Sequence, residues 1–232
     1  MFRLTEQVYQ GLEGFMKSQM EGNDGAHNQE HVYRVLAAAL DIAEHETGVD
    51  YDVLIAACLL HDIGRREQME HPSLCHAAVG AEKAYAFLLE KECSEEYAEK
   101  VRACIKRHRF RSEDPPVTLE ERILFDADKL DVSGAVGVAR TLLYAGQVGK
   151  PLYFVREDGG ISDGKGDQID SFFREYQRKL KGIDAALYTE RGRQIARERR
   201  HAAEAFYRAM LEELAQSREQ MHERLERHIK KG

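Results

Sequence analysis

Apolar residues recur along this chain at the spacing of a helical face almost throughout, as in the series Val32, Val35, Leu36, Ala39, Ile42 and Ala43. Glycine and proline are sparse, and the alternation that marks a half-buried strand has little support. The pattern predicts helices over roughly 5–20, 28–46, 51–63, 74–93, 95–109, 118–131, 134–147, 168–185 and 190–225. Val53 to Leu60 is apolar on every side, which predicts a central helix enclosed by the others. Ile169, Phe172, Phe173, Tyr176, Leu180 and Ile183, followed by Ile195, Phe206, Met210 and Leu214, predict a C-terminal helical hairpin packed on the same core. The expected fold is an all-α helical bundle in a single domain, 1–232, with the chemistry-bearing segments over 26–140 and the helical extension over 168–225. The segment from Gly149 to Asp167 reads as a long loop; turn chemistry accounts for it, and a lid over a site is the alternative left open.

Composition adds limits. The chain has 232 residues, 43% hydrophobic and 32% charged, which is ordinary for a globular protein able to bury a sizeable core. Its longest wholly apolar run, Val53 to Leu60, falls far short of the about 20 residues that span a bilayer, and Met1 to Gln10 lacks a signal-peptide core. The expectation is a cytoplasmic protein without a membrane partner. Cys58, Cys75, Cys93 and Cys104 show no C-x-x-C spacing and lie among apolar residues, so a disulfide framework is not expected. A net charge of -7 disfavours a stable nucleic-acid partner, although a local basic pocket can still take one phosphorylated small molecule. Nothing in the sequence fixes the oligomeric state, and a homo-oligomer is left open.

The candidate chemistry sits where polar residues intrude into apolar helices. The central helix ends in His61-Asp62, and Gly64 then suits a helix C-terminal cap. An unpaired buried carboxylate costs several kcal/mol, whereas a divalent cation satisfies both side chains at once. His27 and His31 lie four apart on one face at the start of the second helix. In Phe125-Asp126-Ala127-Asp128-Lys129-Leu130-Asp131, Asp128 and Asp131 share a face and Asp126 points away. Imidazoles mixed with carboxylates suit Mn, Fe, Co, Ni, Zn or, less well, Mg.

The ordered series His31, His61-Asp62, Asp128 resembles the H…HD…D signature of the HD superfamily, whose members hydrolyse phosphate esters and anhydrides with a bound divalent metal. The flanking text, Ala26 to Val35, Leu59-Leu60-His61-Asp62-Ile63, Ile105 to Phe110 and Asp126 to Arg140, is similar to that of a subgroup of stand-alone bacterial HD hydrolases. The likeness continues through Phe172-Phe173 and Leu180 to Thr189-Glu190-Arg191-Gly192. It implies an HD-type bundle in which His31, His61, Asp62 and Asp128 hold the metal, with Mn, Mg, Co, Ni or Fe as candidates. His76-Ala77-Ala78-Val79-Gly80 resembles the third-histidine segment of two-metal members, so a second metal held by His76 and His108 is left open. Where the subgroup usually reads His-Ser-Phe, this chain has His108-Arg109-Phe110, adding a positive charge.

Within that resemblance, Asp62 or Asp131 is expected to orient the attacking water, and His27, one turn before His31, to protonate the leaving oxygen. Arg65, Lys129, Arg109 and Arg140, with His108, are the candidates for holding substrate phosphate. The expected substrate is a small phosphorylated metabolite, most specifically a nucleoside triphosphate that loses pyrophosphate. No P-loop is present, so that specificity comes from the resemblance. The alternatives are a di-iron oxygenase of the same family and a non-catalytic metal-containing signalling or ligand-binding module.

Overall fold

The structure, a computed structural model, describes residues 4–21, 25, 28–109 and 113–229. Short polar side chains start the helices. Thr5 accepts from Val8 N ahead of α1 (Glu6–Met20), Asn28 from His31 N ahead of α2 (Gln29–Ala43), and Asp50 from Val53 N ahead of α3 (Tyr51–Leu60). Past α4 (Arg65–Glu70) and α5 (His76–Glu90), Ser94 caps α6 (Glu95–Arg107), and Thr118 with Glu121 forms a capping box on α7 (Leu119–Leu130). Then come α8 (Gly134–Gln147), α9 (Phe172–Arg178), a 3-10 helix (Leu180–Ala186) and α10 (Glu190–His228). Among the described residues there is no sheet; Val155 and Ile161 form an isolated bridge. The all-α expectation holds, and no described helix is long and apolar enough to cross a membrane.

The chain divides into two compact units, Met1–Asp131 with Asp184–Ile195, and Val132–Ile183 with Ala196–Gly232. In the first, α3 packs against α1, α2, α5, α6 and α7. Val53, Leu54, Ala56, Ala57, Cys58, Leu59 and Leu60 are all buried, as expected for a helix apolar on every side. In the second, Val138, Phe172, Phe173, Tyr176, Leu180, Ala203 and Tyr207 form an apolar cluster of their own. Of the expected hairpin residues, Phe172, Phe173, Tyr176 and Leu180 gather there with Met210 and Leu214 packed against them, while Ile195 belongs to the first unit.

Three boundaries differ from the sequence reading. The helix expected over 168–185 is broken into α9 and the 3-10 helix, which kinks at Gly182. The short α4 was not expected: it is six residues long and buries none of them, so it leaves no apolar period to read. Gly64 stands ahead of α4 rather than capping α3, and its role is close approach. A Cβ there would lie 2.3 Å from His76 O and 2.6 Å from Gly80 N, so the glycine lets α5 pack directly on the turn that carries His61 and Asp62. The 149–167 loop is fastened, because the Tyr207 hydroxyl and the Gln177 amide both donate to Asp163 O, at 2.6 and 3.3 Å. None of the four cysteines forms a disulfide; Cys58, Cys93 and Cys104 are buried and Cys75 is half-buried.

Candidate metal centre

His31 enters from the first turn of α2, His61 and Asp62 from the turn after α3, His76 from the first residue of α5, His108 from the end of α6 and Asp128 from the last turn of α7. Packing of these helices around α3 brings the six together inside the first unit. The ligand atoms of His31, His61 and Asp128 lie within 4.8 Å of one another, and so do those of Asp62, His76 and His108. Asp62 stands between the two groups. Its Oδ2 is 3.4 Å from His31 Nε2 and 3.7 Å from His61 Nε2, while its Oδ1 is 3.5 Å from His76 Nε2 and 3.7 Å from His108 Nε2. All but the partly exposed Asp128 are buried.

Every imidazole is aimed by its other nitrogen. His61 Nδ1 donates to Cys58 O at 2.7 Å and His108 Nδ1 to Ile105 O at 2.6 Å, each a carbonyl three residues back on its own helix. His76 Nδ1 donates to Gln68 Oε1 at 2.6 Å, and His31 Nδ1 to Asp131 Oδ2 at 2.7 Å. With Nδ1 carrying the proton, each neutral ring turns an Nε2 lone pair to the centre. Burial disfavours the imidazolium: it lowers His61, pushes His76 down to about 2 and, together with the neighbouring His61, His108 down to about 4. For Asp62 and Asp128 burial acts upward, yet Arg65 beside Asp62, Lys129 beside Asp128 and the imidazoles hold both carboxyls well below the usual range.

Neutral imidazoles and ionised carboxylates are the protonation states a cation requires. His31 Nε2 and His61 Nε2 face each other at 3.2 Å, an arrangement that needs a proton or a cation between the lone pairs. Asp62 Oδ2 and His76 Nε2 are buried with no hydrogen-bond partner. The donor set therefore fits a divalent metal at His31, His61, Asp62 and Asp128, and it also brings His76 and His108 within reach of Asp62 for a second.

The remaining candidates have the following places. Asp131 accepts from His31 Nδ1 and from Arg34 Nε and Nη2, so it stands behind a ligand rather than at the open side. Arg65 donates to Asp62 Oδ1 at 3.0 Å, and Lys129 to Asp128 Oδ2 at 2.7 Å. Arg109 Nη1 lies 3.9 Å from Cys75 Sγ. Arg140 is buried on α8 in the second unit, and His27 lies outside the described residues. Sequence reasoning missed Arg34 and Gln68. Arg34 had one signal, its place one turn after His31; Gln68 had none, since α4 has no apolar period.

Residues 28–133 match the family model for the HD domain. The chain is 28% identical over 210 residues to YpgQ of Bacillus subtilis strain 168, covering 89% of this chain and 91% of that protein. Its fold is similar to that of YpgQ crystallised in complex with ADP, with a TM-score of 0.68 at 24% identity over 88% of this chain and 97% of that one. A structure named as a predicted HD superfamily hydrolase, from an uncultured Thermotogales bacterium, matches with a TM-score of 0.61 at 26% identity over 88% and 92% of the two chains.

Proposed function

We propose that this chain, whose residues 28–133 match the HD domain model, is a metal-dependent hydrolase of phosphate ester or anhydride bonds in nucleotides, releasing pyrophosphate from nucleoside triphosphates. The observation that carries this reading is Asp62, a buried carboxylate flanked on both oxygens by Nε2 atoms, with Oδ2 left without a hydrogen bond. His31, His61, Asp62 and Asp128 would hold the first cation; Asp62, His76 and His108 would hold a second. A bound divalent cation supplies Lewis acidity toward a phosphoryl oxygen and a water nucleophile at neutral pH.

The protein's own residues prepare that chemistry. Asp62, Asp128 and Asp131 are each ion-paired, to Arg65, Lys129 and Arg34, so the carboxylates are already compensated and the site favours a polyanion over a neutral substrate. Arg65 and Lys129 keep 22% and 16% of their side chains exposed beside the ligands, where they can also donate to phosphate oxygens. Asp62, bound to the cation, orients the attacking water, and His27 protonates the leaving oxygen. Arg109 adds a donor next to His108. The complex of the related YpgQ with ADP supports a nucleotide ligand. The paired ligand groups also suit a di-iron oxygenase, which a coloured, redox-active centre would mark.

The test is a screen of nucleoside triphosphates, diphosphates and general phosphatase substrates with Mn, Mg, Co and Ni, paired with elemental analysis of the purified protein. Pyrophosphate release that requires metal, and that vanishes with the bound metal in Asp62→Ala at unchanged helical circular dichroism, is the expected result. A folded, metal-loaded protein that turns over none of these substrates would defeat it.

A further inference from the structure

We infer that Arg34 is a positioning residue for the metal centre: its bidentate ion pair with Asp131 fixes the His31 imidazole and so sets how tightly the first ligand group holds its cation. The inference rests on the proposed reading of that group as a metal site. Arg34 follows His31 by three residues on α2, on the same face. It donates from Nε to Asp131 Oδ1 at 2.7 Å and from Nη2 to Oδ2 at 3.0 Å, and the same Oδ2 accepts from His31 Nδ1 at 2.7 Å. The result is a guanidinium–carboxylate–imidazole chain that runs from a side chain 38% exposed to one 1% exposed.

Two observations favour orientation over simple bracing. His61 and His108 are aimed by carbonyls of their own helices, and His76 by a neutral amide, whereas His31 is aimed by a carboxylate 100 positions away in sequence. Its direction thus depends on a tertiary contact that must itself be held. Asp131 caps the end of α7, where its carboxylate could swing if one oxygen alone were bonded; two parallel donors from a planar fork fix its plane. A carboxylate held behind a ligating imidazole also raises the basicity of the ligand nitrogen. Arg34 donates to Asp131, and it is through Asp131 that it acts on His31.

Affinity for Mn is measured at a single pH, by competition with a chelating dye, in the full-length wild type, Arg34→Met and Arg34→Lys, alongside circular dichroism and nuclear magnetic resonance of the histidine side chains. We expect Arg34→Met to bind about 10- to 100-fold more weakly, with a broadened His31 Nδ1–H signal and an unchanged helical spectrum. Arg34→Lys, able to make one of the two contacts, recovers part of the affinity. Wild-type affinity and an unchanged His31 signal in folded Arg34→Met would overturn the inference. If that variant does not fold, Arg34→Gln decides on the same two measures. A wild type that binds no metal would instead overturn the metal-site reading, and the inference with it.

Discussion

Burial makes a histidine resist protonation even beside a carboxylate, and this governs how the centre responds to acid. Burial places His76 at about 2 and His108 at about 4, while in the unfolded chain each takes up its proton near 6.5. Between those values the unfolded state binds more protons than the native state, so stability rises with pH across the window. Asp62 and Asp128 work in the same direction lower down, since their depressed carboxyls give stability that is lost as pH falls through the folded value. We expect the metal-free protein to weaken steadily from pH 6.5 to about 4, His108 alone accounting for roughly 3 kcal/mol. Urea midpoints in chelator across that range measure it, and a flat series would mean the imidazoles are not held neutral. His31, His61, Asp62 and Asp128 were legible because each interrupts an apolar helix within a motif. Arg34 and Gln68 were not: a charge one turn from His31 reads as a solvated surface until Asp131 is located in space, and a neutral amide eight residues before His76, on a helix with no buried face, gives no signal at all.

Helix order and the turns between helices decide whether His76 reaches Asp62 at all. Gly64 and Gly80 let α5 lie against the turn after α3, and Gly64 has an ordinary negative φ of -94, so space alone requires glycine there. In Gly64→Ala the added methyl meets the His76 carbonyl and the Gly80 backbone, and α5 has to move outward, carrying His76 with it. The expected cost is about 1–3 kcal/mol by overpacking, read from the denaturation midpoint. Metal on the His76 and His108 side should fall before metal on the His31 and His61 side, read by titrating metal content against free ion. Equal loss at both groups would show that α5 is not what places the second. Periodicity gave the long helices, but the glycine contact was hidden, since His61-Asp62-Ile63-Gly64 reads equally well as a plain helix end.

The six residues of the candidate metal centre all belong to the first unit, while most of the C-terminal apolar stripes build the second. The stripes were legible as amphipathic, yet a period shows only that a face is buried and not which partner buries it. The pairing of Phe172, Phe173, Tyr176 and Leu180 with Met210 and Leu214 was expected, whereas the break at Gly182 was beyond reach of the sequence. Phe173 is fully buried, packs edge-on against Tyr207 at 5.1 Å, and is backed by Gly164, whose absent side chain leaves room for the Phe173 backbone. Truncating it removes a large apolar surface and leaves a cavity that neighbouring aromatics cannot fill. Phe173→Ala is thus expected to lower stability by about 3–5 kcal/mol, seen as a fall in melting temperature. Because the six candidate ligands lie in the first unit, metal content per folded chain should stay at the wild-type level below the new transition. Loss of metal from a still-folded Phe173→Ala protein would mean that the centre depends on the second unit for its geometry.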